Sequence, residues 1–323
     1  MKSWVARIAV GLLIATTACR KPEKPWKLPE QTGGRLIEAN TGPEYDTVVF
    51  VNLEMGAVHS VLRSLWDLVL KPSGSSYEIW LNGAMYAFAA EVGEAQWHSL
   101  SAPLRELPWR CDLADTAALP ALRQGERRYF ILDRDRGEVF YRQPSQRYRK
   151  VLISWQGSEI QITATPLGGG DTARWRFPVG NVPLFVSLSK PDDTVAVLPS
   201  WRADLIVTRY VHPFYDQPEE FRWYPVVGVL LGEGIEAATV SADSVPYEAM
   251  DYAKAGMLSF TTRRDVIGYD WKRYNFSTGT YTIDTRRYFV LRLNALTYYK
   301  LRIIDFYDSR GVKGSVRIEY EPM

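Results

Sequence analysis

The chain has 323 residues, of which 39 are basic and 37 acidic; 46% are hydrophobic and 24% charged. These are ordinary values for folded domains, and the length allows two of them. The near-neutral balance excludes recognition of nucleic acid by bulk charge, and no apolar run reaches the ~20 residues that a membrane-spanning helix needs.

The first segment opens with Lys2 and Arg7 and continues as an apolar run over residues 8–15, the length of a signal-peptide core. Small residues, Ala15 to Ala18, then precede Cys19. This pattern predicts a secretory signal over 1–18, cleaved before a cysteine that receives lipid; an ordinary secretory signal or a buried helix is the competing reading. Loss of Lys2 and Arg7 leaves 37 residues of each sign. Residues 20–29 hold three prolines and four basic residues, so 19–43 is expected to be a lipidated N-terminus and flexible tether. Several acyl chains on Cys19 would anchor durably, at about 0.8 kcal/mol per buried CH₂. With Cys19 lipidated, Cys111 has no partner for a disulfide and reads as a buried, inert thiol.

Beyond the tether the pattern is β. Residues 45–53 are rich in β-branched side chains. Residues 65–71 and 77–81 flank a Pro-Ser-Gly-Ser-Ser loop and predict a hairpin. Residues 128–133, 137–141, 148–155 and 158–164 read as a meander, and 174–177, 184–188 and 194–198 as further strands. Short helices are expected at 104–107, 117–123 and 248–255. A boundary is placed at Pro199, dividing an N-terminal β domain (44–198) from a C-terminal one (199–323). Trp66 and Asp67 before one apolar strand have a counterpart in Trp201 and Asp204 before another, a hint of internal repetition. In the second half, strands are expected at 203–211, 223–231, 266–274, 279–283 and 288–293, with a terminal hairpin from 298–307 and 314–320. The fold class is therefore all-β: two β-rich halves of mainly antiparallel sheet, sandwich-like or barrel-like, with little helix.

For catalysis the residues offer little. Gly168 to Gly170 is a lone turn, no Cys or His cluster has zinc spacing, and the pairs Asp192-Asp193 and Glu219-Glu220 fall in loops. The chain reads as no enzyme. The unusual inventory is aromatic: 11 Trp, 19 Tyr and 12 Phe, a composition suited to strands, interfaces and flat ligands.

Residues 267–275 (Ile-Gly-Tyr-Asp-Trp-Lys-Arg-Tyr-Asn) and 298–307 (Tyr-Tyr-Lys-Leu-Arg-Ile-Ile-Asp-Phe-Tyr) resemble the HmuY-like haem-binding lipoproteins of the Bacteroidetes, in their longer form. Residues 224–231, 45–53, 65–68 and 80–82 carry the likeness into both halves, although Arg202 and Ala203 separate a Trp and Asp that family members commonly have adjacent. The resemblance implies an all-β protein held at the outer membrane by its lipid, on the periplasmic or the surface face. It also implies capture of haem for nutrient acquisition and delivery to an outer-membrane receptor. The alternative is the same scaffold without haem, as a surface module for protein or glycan. The resemblance further implies axial His or Met ligands to the iron, without placing them in this chain. Of the three histidines, His212 sits among Tyr210, Phe214 and Tyr215, which would suit a porphyrin face. Met250 and Met257 are the candidate second donors. The competing reading is a loop histidine and two core-filling methionines.

Overall fold

A computed structural model describes residues 34–103, 105–189 and 195–323. The expected signal, Cys19, the start of the tether, Leu104 and Asp192-Asp193 lie outside the described residues. The chain is all-β, 47% strand and 9% helix. The strands in chain order are β1 (Arg35–Asn40), β2 (Thr47–Asn52), β3 (Ala57–Leu62), β4 (Leu68–Ser73), β5 (Ser76–Leu81), β6 (Phe88–Glu91) and β7 (Leu122–Arg123). They continue as β8 (Arg127–Asp133), β9 (Tyr148–Gln156), β10 (Glu159–Pro166), β11 (Ala173–Pro178), β12 (Leu184–Val186), β13 (Leu205–Pro213) and β14 (Trp223–Leu231). The last are β15 (Glu236–Ser241), β16 (Lys272–Asn275), β17 (Thr280–Ile283), β18 (Arg287–Asn294), β19 (Thr297–Tyr307) and β20 (Lys313–Pro322).

Two five-stranded and two four-stranded antiparallel sheets pair into two sandwiches. In the first, β11-β10-β9-β8-β6 faces β12-β4-β5-β7 across a core that includes Ile79, Phe130, Ile153 and Trp175. In the second, β1-β20-β19-β18-β15 faces β14-β13-β2-β3 across Val49, Val207, Leu291 and Ile318. Burial alternates on strands such as β5 and β10, whereas β2, β14 and β19 are buried along continuous runs because both of their faces are covered.

The division at residue 198 needs correction. Strands β1 to β3 belong to the second sandwich, where β2 pairs with β13 across more than 150 residues of sequence (Val51 opposite Leu205). The first sandwich, near residues 68–188, is thus inserted between β3 and β13. The expected tether also ends earlier than residue 43, because β1 pairs along its length with β20 and buries Ile37 and Ala39. Other differences are local. Residues 137–141 form a loop, not a strand, in which the Asp135 carboxylate accepts from Phe140 N and Tyr141 N. Residues 117–123 are not helical, and Leu122 pairs with Tyr77 instead. Residues 195–198 form no strand, 266–271 lead into β16 rather than extending it, and a helix at Glu94–Ser99 replaces the helical turn expected near 104–107.

The Trp/Asp repetition has a structural counterpart. Asp67 precedes β4, whose Leu68 pairs with Leu81 next to Asn82; Asp204 precedes β13, whose Leu205 pairs with Val51 next to Asn52. Asn82 Nδ2 donates to Trp66 O at 2.8 Å, and Asn52 Nδ2 donates to Arg202 O at 2.9 Å. Each Asn oxygen also accepts from the backbone three residues on, at Met85 and Met55. In both sandwiches an Asn and an Asp thus lock the same corner by satisfying backbone groups that would otherwise be buried without partners. Cys111 is buried between Phe88 and Val211, and burial pushes its thiol up to about 12, which leaves it unreactive at neutral pH.

Candidate functional site

The site grows from the far end of β13. Strand alternation puts Tyr210 and His212 on one face, and β14 runs beside them with Tyr224 opposite His212 and Val226 opposite Tyr210. Residues 263–271 cross this face. They are held by a two-bond bridge to β14, from Val229 N to Gly268 O (2.9 Å) and from Gly268 N to Val229 O (3.1 Å). The crossing needs two glycines. Gly268 adopts φ +64°, and at Gly228 a Cβ would lie 2.4 Å from Gly268 O. Lys272 adds a tie: its Nζ donates to Val227 O at 2.5 Å and Tyr269 O at 3.3 Å beneath the Trp271 ring. Burial pushes that amine down to about 7.

The crossing segment brings Tyr269 and Asp265 to His212. The imidazole packs 4.8 Å from the Tyr269 ring and 5.1 Å from Phe214, centroid to centroid. Asp265 Oδ2 lies 4.0 Å from His212 Nδ1, and Arg263 Nε lies 2.8 Å from Asp265 Oδ1. Burial holds the imidazole below its ordinary value, against the opposing pull of Asp265 and Asp270, so His212 is neutral at pH 7. Its side chain is 27% exposed. Exposed Tyr224, opposite His212 on β14, lies edge-on to Phe214 at 6.2 Å and extends this aromatic surface.

The expected site residues separate into two groups. His212 and Phe214 pack together at this surface, whereas Tyr215 lies edge-on to Trp223, which packs with Val211 and Phe88 on the other face of β13. Tyr210 belongs to the same cluster but is buried beneath it, against Val226 and Leu230, and is not a wall of an open pocket. Met250 and Met257 are not brought to His212. Met250 packs in a separate core with Tyr247, Tyr288 and Tyr298, because the turn at Tyr247–Ala249 docks on the outer sheet through those rings. Met257 is 78% exposed just beyond the short helix Tyr252–Ala255. Asp265 and Tyr269 were not expected from sequence, and the glycine within Ile267-Gly-Tyr269 was the available signal of close backbone approach. Among the described residues no group of three or more His, Cys, Asp or Glu could hold a metal ion.

A family model described as HmuY protein matches residues 44–320, which spans both sandwiches. The chain belongs to the HmuY family. Two solved structures are similar at low identity. Apo PinO from Porphyromonas gingivitis is 13% identical, with 91% of this chain and 98% of that chain covered and a TM-score of 0.25. The apo HmuY analog of Tannerella forsythia, TFO, is 11% identical, with 91% and 97% covered and a TM-score of 0.26. No curated protein matches the chain. The HmuY family is associated with haem binding.

These residues fit a haem held from one side. A neutral imidazole provides a lone pair, and the flanking rings of Phe214 and Tyr269 provide apolar contact. The methionines do not complete a pair with it. Of the expected donors, His212 is the one that lies at this surface.

Proposed function

We propose that this member of the HmuY family is a non-catalytic lipoprotein that binds haem or a related porphyrin at the β13–β14 surface, with His212 as the axial donor, for nutrient acquisition at the outer membrane. The observation that carries the reading is the neutral, partly exposed imidazole packed against Phe214 and Tyr269, with exposed Tyr224 beside Phe214. Haem supplies an iron that takes up a nitrogen lone pair and a flat apolar face. The chain's residues supply that lone pair, the contact surface and exclusion of water from one side. The Cys19 signal supports membrane anchoring, and labelling with a radioactive fatty acid that persists in Cys19→Ser would overturn it.

An absorbance titration of the purified full chain with haemin tests the ligand. The wild type is expected to shift the Soret band, His212→Ala to lose at least tenfold in affinity, and Met250→Leu to bind as the wild type does. If His212→Ala binds unchanged, the ligand assignment fails; if the wild type gives no shift, the haem reading fails and a protein- or glycan-binding surface replaces it. The pH dependence follows from the same imidazole. A proton and the iron compete for its lone pair, and burial, opposed by Asp265 and Asp270 with Arg263 on the side of burial, lowers the pKa. Affinity should therefore be flat from pH 8 down through the ordinary histidine value of about 6.5 and fall only below it. A fall beginning above pH 7 would contradict a depressed pKa.

A further inference from the structure

Two polar atoms in this cluster are buried without a hydrogen bond among the described residues: Tyr210 Oη and His212 Nδ1. Buried polar atoms are ordinarily paired, and leaving one unpaired costs stability. Tyr210 is only 6% exposed, and its hydroxyl is aimed at Gly268, in the segment that also carries Asp265. His212 and Tyr210 share a face of β13, and Asp265 reaches that face from above. The gap from His212 Nδ1 to Asp265 Oδ2 is 4.0 Å, too long for a hydrogen bond. It is the span of one bridging molecule that sits about 2.8 Å from each atom. The bridging species is neutral. Arg263, at 2.8 Å from Asp265 Oδ1, opposes a cation there, and the Asp265 carboxylate opposes an anion.

We infer that Tyr210, His212 and Asp265 enclose one ordered water, and that this water fixes the tautomer of His212. The water accepts from Tyr210 O–H and from Nδ1–H and donates to the Asp265 carboxylate, which gives Tyr210 Oη and His212 Nδ1 the partner they lack. The single proton of the neutral ring is thereby held on Nδ1. The lone pair is left on Nε2, at the far side of the ring, which solvent reaches. Asp265 and Tyr210 are then positioning residues: they touch no ligand but decide which nitrogen is offered to one. The role toward iron rests on the haem reading above, whereas the tautomer exists in the unliganded protein.

The two claims separate in one set of measurements on the ¹⁵N-labelled full chain. Long-range ¹H–¹⁵N correlation above pH 7, with the His212 signals identified by their loss in His212→Ala, should show a protonated Nδ1 and a pyridine-like Nε2. In Asp265→Asn and Tyr210→Phe the population should move toward the Nε2–H form, while thermal melts stay close to that of the wild type. Haemin affinity should fall roughly 10–100-fold in Asp265→Asn, the range typical of a lost outer partner of a histidine ligand. Wild type with the proton on Nε2, or a tautomer unmoved in both variants, overturns the inference even if haemin binds. Wild type with the proton on Nδ1 but no Soret shift overturns the haem reading and leaves the inference standing.

Discussion

Asp67→Ala is expected to lower folding stability by about 3–5 kcal/mol, the cost of leaving a buried charge without its partner. Arg134 lies inside the first sandwich with 1% of its side chain exposed. Its Nε and Nη2 reach the two Asp67 oxygens at 2.6 and 2.9 Å, a bidentate pair. Burial pulls the guanidinium pKa down, and Asp67 more than offsets that pull, so Arg134 stays charged. Its other contacts are neutral: Gln146 O, Tyr141 Oη and Ser189 Oγ. Alanine would also strip Leu188 N of the carboxylate that it donates to at 2.6 Å. Denaturant unfolding should show a lower midpoint with an unchanged slope. The double variant Asp67→Ala, Arg134→Met should recover much of the loss, because it removes the charge along with its partner. A single-variant loss under about 1 kcal/mol would mean that Arg134 is solvated or finds a new anion, and the pair would not be a structural lock.

Gly228→Ala should cost about 3 kcal/mol or more and disable the candidate site together with the fold around it. The added methyl would sit 2.4 Å from Gly268 O and 3.0 Å from the Tyr210 ring, so the crossing segment has to leave β14. That breaks both bonds of the Val229–Gly268 bridge and strains the one from Trp271 Nε1 to Gly268 O at 2.9 Å. It also uncovers Ile267 and Trp271, which are 0% and 1% exposed. Asp265 and Tyr269 move with the segment, so haemin affinity should fall along with the unfolding midpoint. Gly83→Ala, where a Cβ meets nothing within 4 Å, is the matched control and should change neither property. A Gly228→Ala protein with wild-type stability would show that the segment has room to shift, and the close approach would then not be what holds the site.

Much of the fold was legible because burial leaves a period-two trace in sequence. Residues 45–53, 148–155, 203–211 and 223–231 announced strands because each is apolar and β-branched along a run that lies in a core. β1 was hidden because only Ile37 and Ala39 turn inward and a stretch rich in proline and lysine precedes it. β3 was hidden because it is a sheet edge whose residues are nowhere fully buried. The helix expected at 117–123 failed because tertiary contacts, a bond from Ala118 N to Asp112 and the pairing of Leu122 with Tyr77, outweighed local propensity.

The sequence by itself determined what depends on local order: the all-β class and the cluster of Tyr210, His212 and Phe214 along one strand and its exit. Only the tertiary structure decided what depends on contacts between distant segments. It assigned β1 to β3 to the second sandwich, because hydrogen bonds between β2 and β13 ignore the 150 residues between them. It separated Met250 from His212 by packing it into a different core. It also brought Asp265 and Tyr269 to His212 through a crossing that two glycines permit. Chain-local patterns record which side of an element is buried. Which elements meet is set by how whole faces pack, and the chemistry at the end of β13 is a product of that meeting.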